Sequence, residues 1–278
     1  MKKILLALFA CMLAFAACQT LDPDDTPSNP DDNKKEEPEV PVTPPVNLDI
    51  TVGICHCNYS TKGKAAFEKC LYDAGAKKIV WFPRYVENQV AADDYIYEVD
   101  ALVAPGEFTG DVTDGRASSD DFLIKTAIAE GKPVLGICYG HQRINKCLGG
   151  NILKVSEKYP DSQVAHRIKE GNENVGLYTE AHWISVDKRS NLYKYLGGFE
   201  RIQVNTSHDY CTYKISSSLA VVATADDGVV EGIEGKRIMG VQFHPEHLYG
   251  TMNLPAFLGI FEWLIDEAKS AKEENAKK

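Results

Sequence analysis

No apolar run in this 278-residue sequence reaches the roughly 18 to 20 residues that a membrane-spanning helix needs; the longest, Ile4 to Ala17, holds about 14. Positive charge is also in deficit, with 30 Lys and Arg against 40 Asp and Glu and a formal charge of −10. The cationic surplus needed to grip a phosphate backbone is missing, so nucleic acid is not an expected partner. No internal repeat is visible, and a repeat array is not expected. What is present is a globular balance: 44% of residues are apolar and 25% charged, which excludes a wholly disordered chain and suits one or two compact domains.

The first 47 residues read as address and tether. Lys2 and Lys3 precede the short apolar segment, and small residues lead to Cys18, as in an export signal. Phe15-Ala16-Ala17-Cys18 resembles a bacterial lipobox, with Phe15 where Leu is usual; the expectation is a lipoprotein signal peptide at 1–17 with Cys18 as the lipid attachment site, and a plain cleaved signal is the alternative. From Gln19 to Asn47 the chain carries seven of its 13 prolines and eight acids. Such a stretch buries too little apolar surface to offset its ordering entropy, so 18–47 is expected to be a disordered spacer. The expected location is the envelope of a Gram-negative-type bacterium, lipid-anchored on the periplasmic or the outward side.

Residues 48–278 alternate β-branched runs with amphipathic stretches. Strands are expected at Asp49–Cys55, Lys78–Phe82, Ala101–Ala104 and Pro133–Ile137, with helices near 61–74, 116–130 and 140–148. Further strands are expected at His182–Val186, Leu219–Thr224, Val229–Ile233 and Ile238–Phe243. A closing helix at Pro255–Lys269 would place Phe257, Phe261, Leu264 and Ile265 on one face. The order predicts an α/β fold, a parallel sheet covered on both faces, whose ligands bind beyond the carboxyl ends of the strands.

One strand end stands out. Gly136-Ile137-Cys138-Tyr139-Gly140 has the form of a nucleophile elbow, with glycines two before and two after a cysteine. A helix starting there would favour negative charge on the sulfur. Ile238-Met239-Gly240-Val241-Gln242-Phe243-His244-Pro245-Glu246 ends a second strand. If its backbone stays extended, His244 and Glu246 point to one side, so His244 can take the thiol proton while Glu246 orients the imidazole. A third strand opens into Pro105-Gly106-Glu107, where backbone N–H groups near Gly106 and Glu107, with that of Tyr139, suit an oxyanion. Taken singly, the first reads equally as a buried structural cysteine and the third as an ordinary turn.

Together, Gly136-Ile137-Cys138-Tyr139-Gly140-His141-Gln142 and Gln242-Phe243-His244-Pro245-Glu246 resemble the class I glutamine amidotransferase-like superfamily. Within it the chain is most similar to the gamma-glutamyl hydrolase group of cysteine peptidases, and in particular to gamma-glutamyl-gamma-aminobutyrate hydrolases. Cys57-Asn58, Gly115-Arg116, Gly149-Gly150, Ala165-His166-Arg167, Val204-Asn205 with His208, and Asp227-Gly228-Val229-Val230-Glu231 extend the likeness. The resemblance implies a flavodoxin-like three-layer sandwich with a mainly parallel central sheet. It implies hydrolysis of gamma-glutamyl amides through a thioester on Cys138, without metal or organic cofactor, and it places Gln142, Asn205 and His208 beside the substrate. Three departures concern the leaving-group side. Asn205-Thr206-Ser207-His208-Asp209-Tyr210 replaces an Asn-Ser-Leu-His-x-Gln pattern, Tyr139 stands where Arg is common, and the oxyanion loop has Glu107 after Gly106. An amine other than gamma-aminobutyrate is therefore expected.

Beside Cys11 and Cys18, six cysteines remain. Cys138 must stay free, and Cys70 and Cys147 fall in helical patterns as small apolar residues. Cys55-His56-Cys57 lacks a second pair at zinc-like spacing, so no metal site is expected. Two other readings stay open: a glutaminase subunit feeding ammonia to a partner, and a catalytically silent ligand-binding lipoprotein. Self-association into a homodimer is left open as well.

Overall fold

A computed structural model describes residues 46–107 and 114–277. The signal segment, Cys18 and the tether up to Pro45 lie outside the described residues. From Thr51 the chain runs β1 (Thr51–Ile54), α1 (Thr61–Asp73), β2 (Lys78–Trp81), α2 (Gln89–Tyr97), β3 (Ala101–Ala104), α3 (Asp114–Ala129), β4 (Val134–Ile137) and α4 (Tyr139–Cys147). It continues through β5 (Asn151–Lys154), α5 (Val155–Lys158), β6 (His182–Val186), α6 (Asn191–Tyr195), β7 (Arg201–Val204), β8 (Tyr210–Lys214), β9 (Ala220–Ala225) and β10 (Val230–Gly235). The last elements are β11 (Ile238–Val241), α7 (Pro245–Gly250) and α8 (Leu258–Ala276). Among the described residues no helix is long and apolar enough to cross a membrane.

Nine strands form one sheet in the order β2-β1-β3-β4-β11-β10-β9-β6-β7. The half from β2 to β11 pairs in parallel, with the flavodoxin-like order of strands, and from β11 onward every pairing is antiparallel. Side-chain alternation builds the three layers. In β3, Ala101 and Val103 join a core with Phe67 and Leu71 of α1 and Phe261, Leu264 and Ile265 of α8. Leu102 and Ala104 join the other core with Ile96 of α2, Leu123 and Ile124 of α3 and Ile144 of α4. A strand buried on both faces reads as an unbroken apolar run, which is how β3 and β4 read.

Every expected strand and helix is present, with ends moved by a few residues. The closing helix is longer than expected, reaching Ala276 through the Lys, Glu and Ala residues that favour helix. Seven elements had no strong pattern to announce them, the short helices α5 and α6 among them. In α2 only Ala92 and Ile96 are buried, and the helix is set by Asn88, whose side chain accepts from the Ala91 N–H. β5 and β8 form a separate two-stranded antiparallel sheet, half exposed and carrying lysines at their ends. β7 is the edge of the large sheet. The last of the seven, α7, bears on the site.

Candidate active site

The carboxyl ends of β3, β4 and β11 converge, and each delivers one part of the site. Val134-Leu135-Gly136-Ile137 is wholly buried between β3 and β11, so the chain leaves β4 with no room to bend gradually. Cys138 makes the corner with φ 51° and ψ −103°, a conformation L-residues rarely adopt, before α4 begins at Tyr139. Such strain costs on the order of 1 to 3 kcal/mol and is held by the packing around it. The flanking glycines are required by close approach. A Cβ on Gly140 would lie 1.8 Å from the Ala104 carbonyl oxygen, and one on Gly136 would lie 2.5 Å from Ile144 Cδ1. Cys138 is thereby fixed at the start of α4, where the first N–H groups have no partner inside the helix.

β11 ends at Val241, and His244 and Glu246 do not share an extended segment as expected. Pro245 takes the first position of α7, where its fixed φ and missing N–H suit a helix start, and the resulting turn brings the two side chains together. His244 Nδ1 donates to Glu246 Oε1 over 2.7 Å, with both residues buried. Asn205 holds the histidine's backbone from both sides, its Oδ1 accepting from the His244 N–H at 2.8 Å and its Nδ2 donating to the His244 carbonyl at 2.9 Å. His244 Nε2 is buried without a hydrogen bond of standard geometry. Its neighbourhood is that of the sulfur: a Cβ on Gly106 would touch His244 Cε1 at 2.8 Å, Tyr59 Oη at 3.0 Å and Cys138 Cβ at 3.4 Å. Burial works against the imidazolium, but the charges of Glu246 and Cys138 and the hydrogen bonds to both outweigh it and push the His244 pKa up to about 10. Burial likewise opposes the Glu246 carboxylate, and the charge and hydrogen bond of His244 overcome that and hold its pKa below the usual range.

The expected oxyanion loop lies beside this pair. Glu107 turns its carboxylate to Arg116, at 2.8 Å, and Arg116 also reaches Asp120 at 2.7 Å and the Pro105 carbonyl at 3.2 Å. The guanidinium lies 5.2 Å from the Tyr139 ring centroid. The loop before the nucleophile and the residue after it are thus tied to one buried arginine. A pocket of about 320 Å³ opens over the sulfur, and Glu107, Tyr139, Gln142 and His208 help to line it.

Two expected substrate contacts are committed elsewhere. Asn205 is completely buried, and its side chain is used up by Leu177 and His244, so it positions the histidine instead of touching a ligand. His208 lines the pocket, but Nδ1 donates to the Tyr210 carbonyl at 3.0 Å and Nε2 lies 3.2 Å from His166 Nδ1. Gln142 spans the wall, donating to the Tyr210 carbonyl at 2.8 Å and Gln242 Oε1 at 3.1 Å.

Sequence reasoning gave no role to Tyr59, whose hydroxyl donates to Glu246 Oε1 at 3.0 Å from the far side of the sheet order. It also gave none to the Arg167–Asp209 pair, 2.7 Å apart on the pocket wall. Arg167 and Asp209 stood inside motifs already noted, so only their contact was hidden.

A family model for peptidase C26 matches residues 64–246, which span the Gly106 loop, Cys138, His244 and Glu246. The chain belongs to that family. Among curated proteins, this peptidase C26 member is similar to protein NtpR of Enterococcus hirae, 30% identical over 149 residues, covering 52% of this chain and 59% of NtpR. It is also similar to the glutamine amidotransferase-like protein YvdE of Lactococcus lactis, 35% identical over 133 residues, covering 46% of this chain and 52% of YvdE. The chain therefore spans a little over half the length of these two relatives. A solved glutamine amidotransferase of Thermotoga maritima superposes with a TM-score of 0.57 over 79% of this chain and 98% of that one, at 13% identity. That likeness concerns the fold.

Proposed function

We propose that this peptidase C26 member is a cysteine amidohydrolase that cleaves gamma-glutamyl amides, with Cys138 as nucleophile. The observation that carries the reading is the strained Cys138 corner packed on Gly106 and His244, with His244 braced by buried Glu246. The sulfur attacks the amide carbonyl carbon with its proton already on His244, whose raised pKa keeps the imidazole protonated at neutral pH. Backbone N–H groups of Tyr139 and the Gly106–Glu107 loop stabilise the oxyanion. When the C–N bond breaks, His244 returns the proton to the departing amine, leaving a thioester. Water, deprotonated by the same imidazole, then releases the free gamma-carboxylate and the thiol.

The glutamyl part of the substrate is zwitterionic, and the pocket offers matching charges. Arg167 and Asp209 are paired on its wall but partly exposed, so each can exchange its partner for the alpha-carboxylate or alpha-ammonium group. Ser207 and Tyr210, which replace the Leu and Gln of the gamma-aminobutyrate enzymes, support a different leaving amine. A lipid on Cys18 would hold the domain at a membrane surface.

A panel of gamma-glutamyl conjugates, with glutamine included, tests the reading by mass spectrometry of products. Release of glutamate from conjugates faster than from glutamine is expected. The Cys138→Ala variant should lose at least about 10⁴-fold in kcat. Equal turnover by parent and variant would overturn the mechanism, and turnover of glutamine alone would replace it with a glutaminase.

A further inference from the structure

Behind the pocket wall lies a second buried group that the proposed hydrolysis does not use. His166, His208 and Glu231 are buried, and one ligand atom from each falls within 4.8 Å of the others. The three edges of that triangle are 3.2 Å from His166 Nδ1 to His208 Nε2, 3.5 Å from His166 Nδ1 to Glu231 Oε1, and 3.6 Å from His208 Nε2 to Glu231 Oε1. An ion bound at about 2.0 to 2.1 Å by tetrahedral ligands separates them by about 3.3 Å. The triangle already has that size.

The hydrogen bonds behind the imidazoles fix their tautomers. His166 Nε2 faces the Asp227 carboxylate at 2.9 Å, and His208 Nδ1 faces the Tyr210 carbonyl at 3.0 Å. Both partners are acceptors, so the protons of the neutral rings sit on those outer nitrogens. The inner nitrogens then present lone pairs to each other and to a carboxylate oxygen. Three acceptors in a buried space need either an extra proton on one inner nitrogen or a cation shared among them, and the near-equal edges of the triangle match a shared cation. Outer carboxylate and carbonyl partners are the arrangement that orients metal-bound histidines. Glu231 Oε2 is buried and without a hydrogen-bond partner, leaving the carboxylate able to bind through either oxygen. His182 Nε2 approaches Glu231 Oε1 from outside the triangle at 3.2 Å.

We propose that His166, His208 and Glu231 form a binding site for one divalent transition-metal ion of the zinc class. The donor set of two imidazoles and a carboxylate suits zinc or cobalt(II) better than magnesium or calcium, which favour oxygen ligands. Its role is to clamp the wall. Glu231 belongs to β10 in the large sheet, while His166 and His208 flank the pairing of Arg167 with Ser207, whose carbonyl lies 3.9 Å from the Cys138 sulfur. Binding here needs no turnover and stands apart from the reaction proposed above.

Cobalt(II) titrated into the full-length, chelator-treated protein tests the site. One ion per chain is expected, with visible d–d absorption and no sulfur-to-cobalt charge-transfer band, and with Cys138→Ala binding as the parent does. Glu231→Gln and His166→Asn should each weaken binding at least tenfold, and Asp227→Asn, which removes only an outer partner, by about 10- to 100-fold. Circular dichroism confirms folding, and where Glu231→Gln fails to fold, the other two variants decide. Absence of binding, a sulfur charge-transfer band, loss of binding in Cys138→Ala, or unchanged affinity in folded His166→Asn and Asp227→Asn would each overturn the proposal.

Discussion

Glu246 and Glu231 are both completely buried carboxylates that accept from imidazoles, one paired with His244 and the other close to His208 of the pocket wall. Glu246 serves one histidine two residues away, is steadied by Tyr59, and lies beside a sulfur. Glu231 gathers three histidines from distant parts of the chain. Each also has an uncharged histidine nearby. Burial pushes both His247, near Glu246, and His141, near Glu231, down to about 4 despite the neighbouring carboxylate. The same pair of residue types is thus arranged once to move a proton and once to hold a position. What separates them is access to a nucleophile, since burial is equal.

That contrast is sharpest in Glu246→Gln. Replacing the carboxylate leaves the imidazole misoriented, and kcat should fall by about 10⁴-fold, which steady-state kinetics check. Glu231→Gln should act on stability instead. Breaking a buried charge network costs about 3 to 5 kcal/mol, read by urea unfolding of metal-free protein, and the residual folded enzyme should keep most of its kcat. If the two variants behave alike, the distinction between the carboxylates fails.

Acid should strike both neighbourhoods together. His141 and His247 cannot take up a proton in the folded state until about pH 4, whereas unfolded histidine does so near its ordinary value of 6.5. Stability contributed by keeping them neutral is complete above pH 6.5 and lost as pH falls toward 4, by about 3 kcal/mol at most for each. Urea midpoints across that window measure it. The smallest effect is expected from Tyr59→Phe, which removes one hydrogen bond to a charged oxygen. A loss of about 1.5 kcal/mol, or about tenfold in kcat with KM unchanged, would place Tyr59 as a positioning residue for Glu246.

The same contrast explains what could be read from sequence. Cys138 and its two glycines are contiguous, and His244 and Glu246 nearly so, so the chemistry of that side is written locally. Even there the backbone was misjudged, because Pro245 starts α7 where an extended strand end was expected. His166, His182, His208 and Glu231 come from separate segments, and nothing in their spacing signals that the fold brings their rings to one point. Asn205 and His208 stood in a recognisable segment, yet their partners are a backbone and a buried cluster that only tertiary packing reveals. β5 and β8 were missed for a related reason: with little to bury, short strands ending in lysine carry no period to detect.

Gly140 sits so tightly on the last carbonyl of β3 that main chain alone sets where the thiol stands. From the facing wall, the Ser207 carbonyl, also main chain, meets the thiol at 3.9 Å. On the wall that leads into the small separate sheet, the side chains of Ser207 and Tyr210 can be exchanged without moving the main chain that holds the thiol. In the proposed reaction, the choice of leaving amine and the placing of the sulfur are thus carried by different parts of the chain.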